Sequence, residues 1–206
     1  YRAEPVDRPR GAIVVVQEIC GVNTHIRSVT NSFAAHGYIA IAPALFDRVK
    51  RGTEFGYDKE SMARARALKD TLSIDSVEQD IRTAIVAGAD GGKVGVVGYC
   101  FGGTVAWIAA CRLSGVAAAV GYYGGGIYEL RDEQPQCPTM LHFGTTDPTI
   151  PIEKVEKVRE THPDVSLFSY EGAGHGFNCD AREDFNEAAA AQARERTLAF
   201  LNKHVD

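Results

Sequence analysis

The sequence lacks the features that mark a membrane protein or a nucleic-acid-binding protein. Its longest apolar runs have only the length of a strand, which is far too short to cross a bilayer. The 22 basic and 27 acidic residues give a formal net charge of -5 and form no basic stripe. We therefore expect no membrane partner. We also expect no nucleic acid, because phosphate binding requires clustered positive charge.

The five cysteines follow no regular spacing, and no Cys-x-x-Cys pair or His/Cys cluster has the spacing of metal ligands. An odd number without regular spacing argues against a disulfide framework, and the missing ligand spacing argues against structural zinc. No signal peptide is recognisable in the printed sequence. These absences predict a reducing, cytoplasmic environment and no metal.

What the chain does contain is an alternation of short apolar strands and helices over 206 residues, without a linker or repeat. That length suits one domain, residues 1–206, with a sizeable core. Nearly continuous apolar strands separated by helices predict an α/β fold, a mostly parallel sheet with helices on both faces. The predicted strands are 12–16, 38–42, 93–97, 116–120, 139–143 and 165–170, and the predicted helices are 25–36, 61–70, 75–87, 104–110, 151–161 and 183–203.

One turn places a cysteine between a predicted strand and a predicted helix, in the segment Gly98-Tyr99-Cys100-Phe101-Gly102-Gly103. A strand, a Gly-x-Cys-x-Gly turn and a helix are the parts of a nucleophile elbow. Glycines are needed on both sides because the turn strains its central residue and leaves no room for flanking side chains. Cys100 is therefore the candidate nucleophile, and the helix N-terminus beside it favours a thiolate.

Three more chemically capable residues follow predicted strands, namely Glu18, Asp147 and His175. In parallel sheets, ligands bind at the carboxyl ends of the strands. A cysteine nucleophile needs a base, and the base needs an orienting group. The chain order Cys100, Asp147, His175 is the nucleophile–acid–histidine order of the α/β-hydrolases. A buried thiol, a turn aspartate and a loop histidine would each be ordinary alone, but together they favour a triad.

A tetrahedral intermediate needs two backbone N–H groups aimed at its developing negative charge. One is expected from Phe101, the residue after the nucleophile, and the other from a loop after an earlier strand. Residues 17–23 form such a loop, and we assign the second N–H group to Ile19. The remaining histidines follow no comparable pattern and are predicted to be structural or exposed.

Several of these motifs resemble those of dienelactone hydrolases, also called carboxymethylenebutenolidases. They are Gln-Glu-Ile-x-Gly-Val-Asn at 17–23, Gly-Tyr-Cys-x-Gly-Gly at 98–103, Val-Gly-Tyr-Tyr-Gly at 120–124 and Gly-His-x-Phe at 174–177. The resemblance extends from about residue 11 to the predicted C-terminal helix. It implies an α/β-hydrolase fold, a triad of Cys100, Asp147 and His175, and no metal or organic cofactor.

The resemblance also implies a role for Glu18, which by itself could be a solvated surface charge. In dienelactone hydrolases the matching glutamate contacts the resting thiol. Substrate binding then moves it, and the cysteine becomes a thiolate paired with histidinium. Such gating would protect Cys100, because a permanently exposed thiolate is prone to oxidation.

The residues that would hold the substrate depart from the family pattern. Family members hold a lactone carboxylate with arginines, a task suited to a planar bidentate group. One such arginine lies just after the catalytic histidine, where this chain has Cys179, and Arg182 is close but shifted. The second lies on a helix before the elbow, where Arg64 and Arg66 are the candidates.

Two further pocket candidates come from the same comparison of motifs. Cys20 occupies a position where family members can carry an aromatic residue. Tyr122 follows a strand and either lines the cleft or packs in the core through a hydrogen-bonded hydroxyl. With these departures, the expected substrate is a small lactone or ester, with or without a carboxylate.

The leading hypothesis is a cysteine hydrolase that forms an acyl-enzyme on Cys100. A glutamine amidotransferase-like protein is disfavoured, since its acid lies two residues after the histidine, where this chain has Phe177. A ligand-binding or redox-sensing relative that keeps the thiol without turnover is the other alternative. A monomer is compatible with the sequence, which carries no signal for the oligomeric state.

Overall fold

The computed structural model describes all 206 residues, and all of its strands belong to one sheet. The order across the sheet is β1-β3-β2-β4-β5-β6-β7, and only β1 runs antiparallel to its neighbour. The strands are β1 (Arg2–Ala3), β2 (Ala12–Val16), β3 (Ile39–Ile41), β4 (Val94–Tyr99), β5 (Val116–Tyr122), β6 (Thr139–Gly144) and β7 (Ser166–Tyr170). The mostly parallel sheet predicted from the sequence is confirmed.

Six α-helices cover both faces of this sheet. They are α1 (Thr24–Ala35), α2 (Lys59–Lys69), α3 (Ile74–Gly88), α4 (Phe101–Arg112), α5 (Ile152–Thr161) and α6 (Glu187–His204). Alternate side chains of β2 enter two separate apolar clusters. Ile13 and Val15 belong to a cluster of 30 buried residues that includes side chains of α1, α5 and α6. Val14 and Val16 belong to a cluster of 16 buried residues that includes side chains of α3 and α4. This division explains why the strands are apolar at nearly every position. No helix combines the length and apolarity that a membrane crossing requires.

The observed elements differ from the predicted ones mainly at their ends. Helix α6 begins at Glu187 rather than 183, because Asn186 caps it by accepting the N–H of Ala189 at 3.0 Å. Strand β4 continues to Tyr99, since its pairing with β5 extends to Tyr122. Strand β1 was not predicted, because two residues carry no recognisable periodicity.

The elbow lies between β4 and α4, at the centre of the sheet. Cys100 has φ 56° and ψ -116°, a conformation that a residue with a side chain rarely adopts. Helix α4 approaches the sheet so closely that a Cβ on Gly102 would lie 2.3 Å from the carbonyl oxygen of Val16. The small residues of the motif therefore allow the helix to begin directly above the strand ends.

Candidate active site

The three residues of the predicted triad come together at the carboxyl edge of the sheet. Cys100 lies at the start of α4, Asp147 follows β6 and His175 follows β7. His175 Nε2 is 3.2 Å from Cys100 Sγ, and His175 Nδ1 is 2.7 Å from Asp147 Oδ2. A thiol, an imidazole and a carboxylate thus form one continuous hydrogen-bonded chain.

The carboxylate of Asp147 is fixed by its own loop. Its Oδ1 accepts the N–H and the hydroxyl of Thr149, at 2.8 and 2.7 Å, and the N–H of Ile150 at 3.2 Å. Burial alone would raise the pKa of Asp147, but the hydrogen bonds from His175 and Thr149 lower it below its ordinary value. The group therefore stays ionised and can hold His175 Nδ1–H in place.

The imidazole of His175 is held in its charged form. Burial alone would lower its pKa, but the hydrogen bonds with Asp147 and Cys100 raise the pKa of His175 to about 10. Because the interaction with Cys100 is one of the causes of this raised pKa, a protonated His175 is the partner of an ionised Cys100, and an imidazolium stabilises a cysteine thiolate.

The two proposed oxyanion donors lie at the start of α4 and in the loop after β2. Phe101 is the first residue of α4, so its N–H has no partner within the helix. The N–H of Ile19, in the loop after β2, makes no hydrogen bond to the backbone or to a side chain. Both groups are therefore free to bind an oxyanion.

Glu18 is buried to 1% exposure and is held by two tyrosines. The hydroxyl of Tyr57 donates to Glu18 Oε2 at 2.9 Å and itself accepts from Asn23 Nδ2 at 3.1 Å. The hydroxyl of Tyr123 lies 3.5 Å from Glu18 Oε1. No hydrogen bond joins Glu18 to Cys100, whose thiol faces His175. The contact with the resting thiol, implied by the resemblance, is not formed in this arrangement.

The predicted substrate-binding residues are distributed differently from the expectation. Arg64 and Arg66 lie on the exposed side of α2, and Arg64 packs over the ring of Phe55. Tyr122 points towards α6, where its hydroxyl bonds to Thr197 Oγ1 at 2.7 Å. Arg64 and Arg66 are therefore exposed rather than enclosed in a pocket with the triad, and for Tyr122 the core alternative is the one observed.

The two pocket cysteines are both buried near Glu18. Cys20 Sγ lies 3.5 Å from Met62 Sδ. Burial, together with the negative charge of Glu18, raises the pKa of Cys20 to about 12. Burial and the charge of Glu18 also raise the pKa of Cys179, to about 11. The raised pKa values keep both groups as neutral thiols.

The structure also places Tyr123 at the site, together with Arg182, which the sequence marks as close to the position of the missing family arginine. Tyr123, fully buried at φ 38°, packs its ring edge-on to His175 with centroids 5.3 Å apart. The side chain of Arg182 is 14% exposed and lies against Gly176, where a Cβ would be 2.8 Å from its Cζ. Burial would lower the pKa of Arg182, but the nearby acidic groups of Glu18 and Cys100 raise it.

Three potential metal ligands come together where α1 meets the segment that follows His175. One atom each from His25, Cys179 and Asp180 lies within 4.8 Å of the others. His25 Nδ1 and Asp180 Oδ1 are 3.5 Å apart, so these two side chains already interact as a pair. Their proximity therefore needs no metal to explain it.

Known proteins resemble this chain over nearly its whole length. The model of the dienelactone hydrolase family matches residues 1–205. The carboxymethylenebutenolidase of Pseudomonas putida is 33% identical over 207 residues, which cover 96% of this chain and 87% of that protein. A Synechocystis protein provisionally given the same name is 35% identical over 216 residues, covering 95% of this chain and 87% of the relative.

A solved structure from Klebsiella pneumoniae, provisionally described as a dienelactone hydrolase, superimposes with a TM-score of 0.86. It is 26% identical, and the match covers 99% of this chain and 92% of that one. The parallel sheet and the strand–turn–helix at Cys100 are thus those of an α/β-hydrolase fold. The chain belongs to the dienelactone hydrolase family of hydrolases.

Proposed function

We propose that this enzyme opens a small lactone, or cleaves a small ester, through an acyl-enzyme on Cys100. The observation that carries the proposal is the continuous contact from Cys100 Sγ through His175 to Asp147, at 3.2 and 2.7 Å. Nucleophile, base and orienting acid are within hydrogen-bond reach of one another, as covalent catalysis requires.

In the first half-reaction the thiolate of Cys100 attacks the carbonyl carbon, forming a C–S bond. The resulting oxyanion accepts hydrogen bonds from the N–H groups of Ile19 and Phe101. Collapse of this intermediate breaks the C–O bond to the leaving group, and His175 Nε2–H protonates the departing oxygen. With a lactone, the leaving hydroxyl remains attached to the acyl group.

In the second half-reaction water hydrolyses the thioester. His175, now neutral, removes a proton from water, and the hydroxide attacks the thioester carbonyl. The C–S bond then breaks, which releases the carboxylic acid and restores the thiolate beside the imidazolium. Asp147 stays ionised throughout and stabilises the charged ring.

The substrate class depends on Arg182, whose guanidinium lies between Gly176 and the ring of Tyr57, 5.7 Å from the ring centroid. It forms one long ion pair, at 3.6 Å, with the exposed Asp184. Most of its donors are therefore available to a substrate carboxylate. We propose that Arg182 binds such a carboxylate, taking the place of the arginine that is missing at Cys179.

A hydrolysis screen of dienelactones, uncharged lactones and short aryl esters tests this substrate class. For a carboxylated lactone, Arg182→Gln should raise KM by about tenfold or more, because a charge-assisted hydrogen bond contributes roughly 1.5–3 kcal/mol. Turnover of an uncharged aryl ester should change by less than about threefold. Arg66→Gln, on the exposed side of α2, is the matched control. Equal losses on charged and uncharged substrates, or a loss only with Arg66→Gln, would contradict the assignment.

We also propose that Glu18 controls the thiol, and that Tyr57 acts as the residue that positions Glu18. With Glu18 bonded to Tyr57 at 2.9 Å, the thiol of Cys100 is free to face His175. If that bond is lost, Glu18 can turn to the thiol and compete with His175 for it. The arrangement in this structure is therefore the reactive one.

Tyr57→Phe should slow alkylation of Cys100 by iodoacetamide about three- to tenfold at neutral pH, since one hydrogen bond to a carboxylate is lost. In Tyr57→Phe the rate of Cys100 alkylation should also rise more steeply with pH. The variant holds less thiolate paired with imidazolium at neutral pH, so more of its thiolate forms only as the pH increases. Tyr38→Phe is the control, because the hydroxyl of Tyr38 is buried without a hydrogen-bond partner. An unchanged rate and pH profile in Tyr57→Phe would rule out this role.

The alternative of a sensor without turnover is the weaker one. The relatives described above are named as hydrolases, and Asp147 and His175 complete the machinery that a simple sensor thiol does not need. Alkylation distinguishes the two. A hydrolase should lose turnover and be protected by substrate, whereas a sensor should oxidise reversibly and show no turnover.

A further inference from the structure

A cavity of about 310 Å³ lies between α1 and α6, and we call it the α1–α6 cavity. Tyr99 and Tyr122 lie along its sheet side, Val29 and Phe33 come from α1, and Leu198 comes from α6. Neither Cys100 nor His175 is among its lining residues. Half of its lining residues are apolar and half are polar, and its volume is at the lower end of the range of small-molecule sites.

Two of its polar side chains are largely buried, and each has one polar atom without a hydrogen-bond partner in the protein. Tyr99 is 3% exposed, and its hydroxyl makes no hydrogen bond within the protein. His25 is 8% exposed, and its Nε2 is buried without a partner. Buried polar groups are nearly always hydrogen-bonded, so the Nε2 of His25 is an unmet hydrogen-bonding group. The hydroxyl of Tyr99 is not fully enclosed and is available to an acceptor in the cavity.

The positive charge at this cavity belongs to Arg194 of α6. Its Nη2 donates to Ser32 Oγ of α1 at 2.8 Å, so the side chain reaches across from one helix to the other. No carboxylate lies within ion-pair distance of it. Burial raises the pKa of Tyr99, and Arg194 is the positive charge that opposes this rise.

The acidic residues of the lining do not neutralise Arg194. The side chain of Asp180 is 77% exposed and pairs with His25, and Glu187 is exposed at the beginning of α6. The cavity therefore combines a phenol without a partner, apolar walls and an exposed guanidinium that is hydrogen-bonded to Ser32 and has no carboxylate partner. That combination fits an acceptor group with negative charge attached to a compact apolar body.

We propose that the α1–α6 cavity binds a small organic carboxylate of about the size of phenylacetate. The carboxylate accepts hydrogen bonds from Arg194 and from the Tyr99 hydroxyl, and the apolar body packs against Val29, Phe33 and Leu198. This site is separate from Cys100, and the inference does not depend on the proposed reaction.

Calorimetric titration of the whole protein with phenylacetate tests the proposal, with phenylacetamide as the uncharged isostere. Phenylacetate should bind saturably, and phenylacetamide at least about tenfold more weakly, because it lacks the charge that Arg194 recognises. Arg194→Gln should weaken phenylacetate binding by about tenfold or more. Tyr99→Phe should weaken it severalfold.

Two variants serve as controls. Arg196→Gln changes a guanidinium on the same helix that packs instead over Phe168 and Tyr170, and it should leave the affinity unchanged. Arg182→Gln removes the cation beside Cys100 and should also leave it unchanged. Circular dichroism checks that each variant is folded. No saturable binding, equal binding of acid and amide, or a loss in Arg182→Gln but not in Arg194→Gln would overturn the proposal.

Discussion

Cys100→Ala should lower the rate of lactone or ester hydrolysis by on the order of 10⁴-fold or more, because the acyl-enzyme can no longer form. The free energy of unfolding should change by less than about 1 kcal/mol, since only one half-buried sulfur atom is removed. The backbone strain at φ 56° is the same for alanine as for cysteine, so it should not change the stability. Steady-state kinetics and urea unfolding measure the two quantities.

Cys137→Ala is the matched control for this substitution. Cys137 is also half-buried and free, but it lies just before β6, away from the triad. Its activity should stay within about twofold of the unmodified enzyme. Full activity in Cys100→Ala would refute the assignment of the nucleophile, and equal losses in both variants would point to a general effect on folding.

Gly98→Ala should prevent the elbow from forming. An added Cβ would lie 1.8 Å from the carbonyl oxygen of Gly102 and 2.3 Å from its carbonyl carbon. Both atoms belong to the backbone of α4, so relieving the clash requires moving the helix that begins at the nucleophile. We expect a loss of more than about 4 kcal/mol in the free energy of unfolding, or no folded protein.

Gly125→Ala provides the comparison. The nearest atom to a Cβ at Gly125 is Ile150 Cγ1 at 3.9 Å, an ordinary contact. This variant should stay within about 1 kcal/mol of the parent in urea unfolding. A Gly98→Ala protein of nearly normal stability would show that the close approach of β4 and α4 is not needed for folding.

The residues of the proposed triad could be predicted because each belongs to a local pattern. The glycines around Cys100 identify a turn that few other structures require, and Asp147 and His175 follow recognisable apolar strands. Parallel strands end at the same edge of a sheet, so residues that follow them are brought together whatever the details of the loops. The same regularity made the fold class predictable.

The residues around the triad could not be predicted in this way. Arg182 is seven positions after His175, and it returns to the site only because the loop turns back, with Arg182 N–H bonded to the carbonyl of Cys179 at 3.1 Å. Tyr57 reaches Glu18 from 39 positions away, between β3 and α2. Irregular loops of this kind produce no periodic pattern in the sequence from which such contacts could be predicted.

Tyr122 and Tyr123 show the same division within two adjacent residues. Neighbouring side chains on a strand point to opposite faces, but Tyr123 lies just beyond β5, at φ 38°. Its backbone therefore departs from the strand and brings the ring to His175, while Tyr122 stays in the core beside Thr197. The motif left open whether the tyrosines line the cleft or pack in the core, and it did not indicate which of them contacts His175.

The sequence by itself determined the sheet, the elbow and the order of nucleophile, acid and histidine, since these depend on local periodicity and on residue types that only certain turns accept. Only the tertiary structure decided that Glu18 is hydrogen-bonded to Tyr57 rather than to Cys100. It also decided that Arg182 faces the site, whereas Arg64 and Arg66 are exposed to solvent. The cavity between α1 and α6 likewise results from tertiary packing. These features depend on how irregular loops and distant helices pack together, and contacts over such separations leave no repeating signal along the chain.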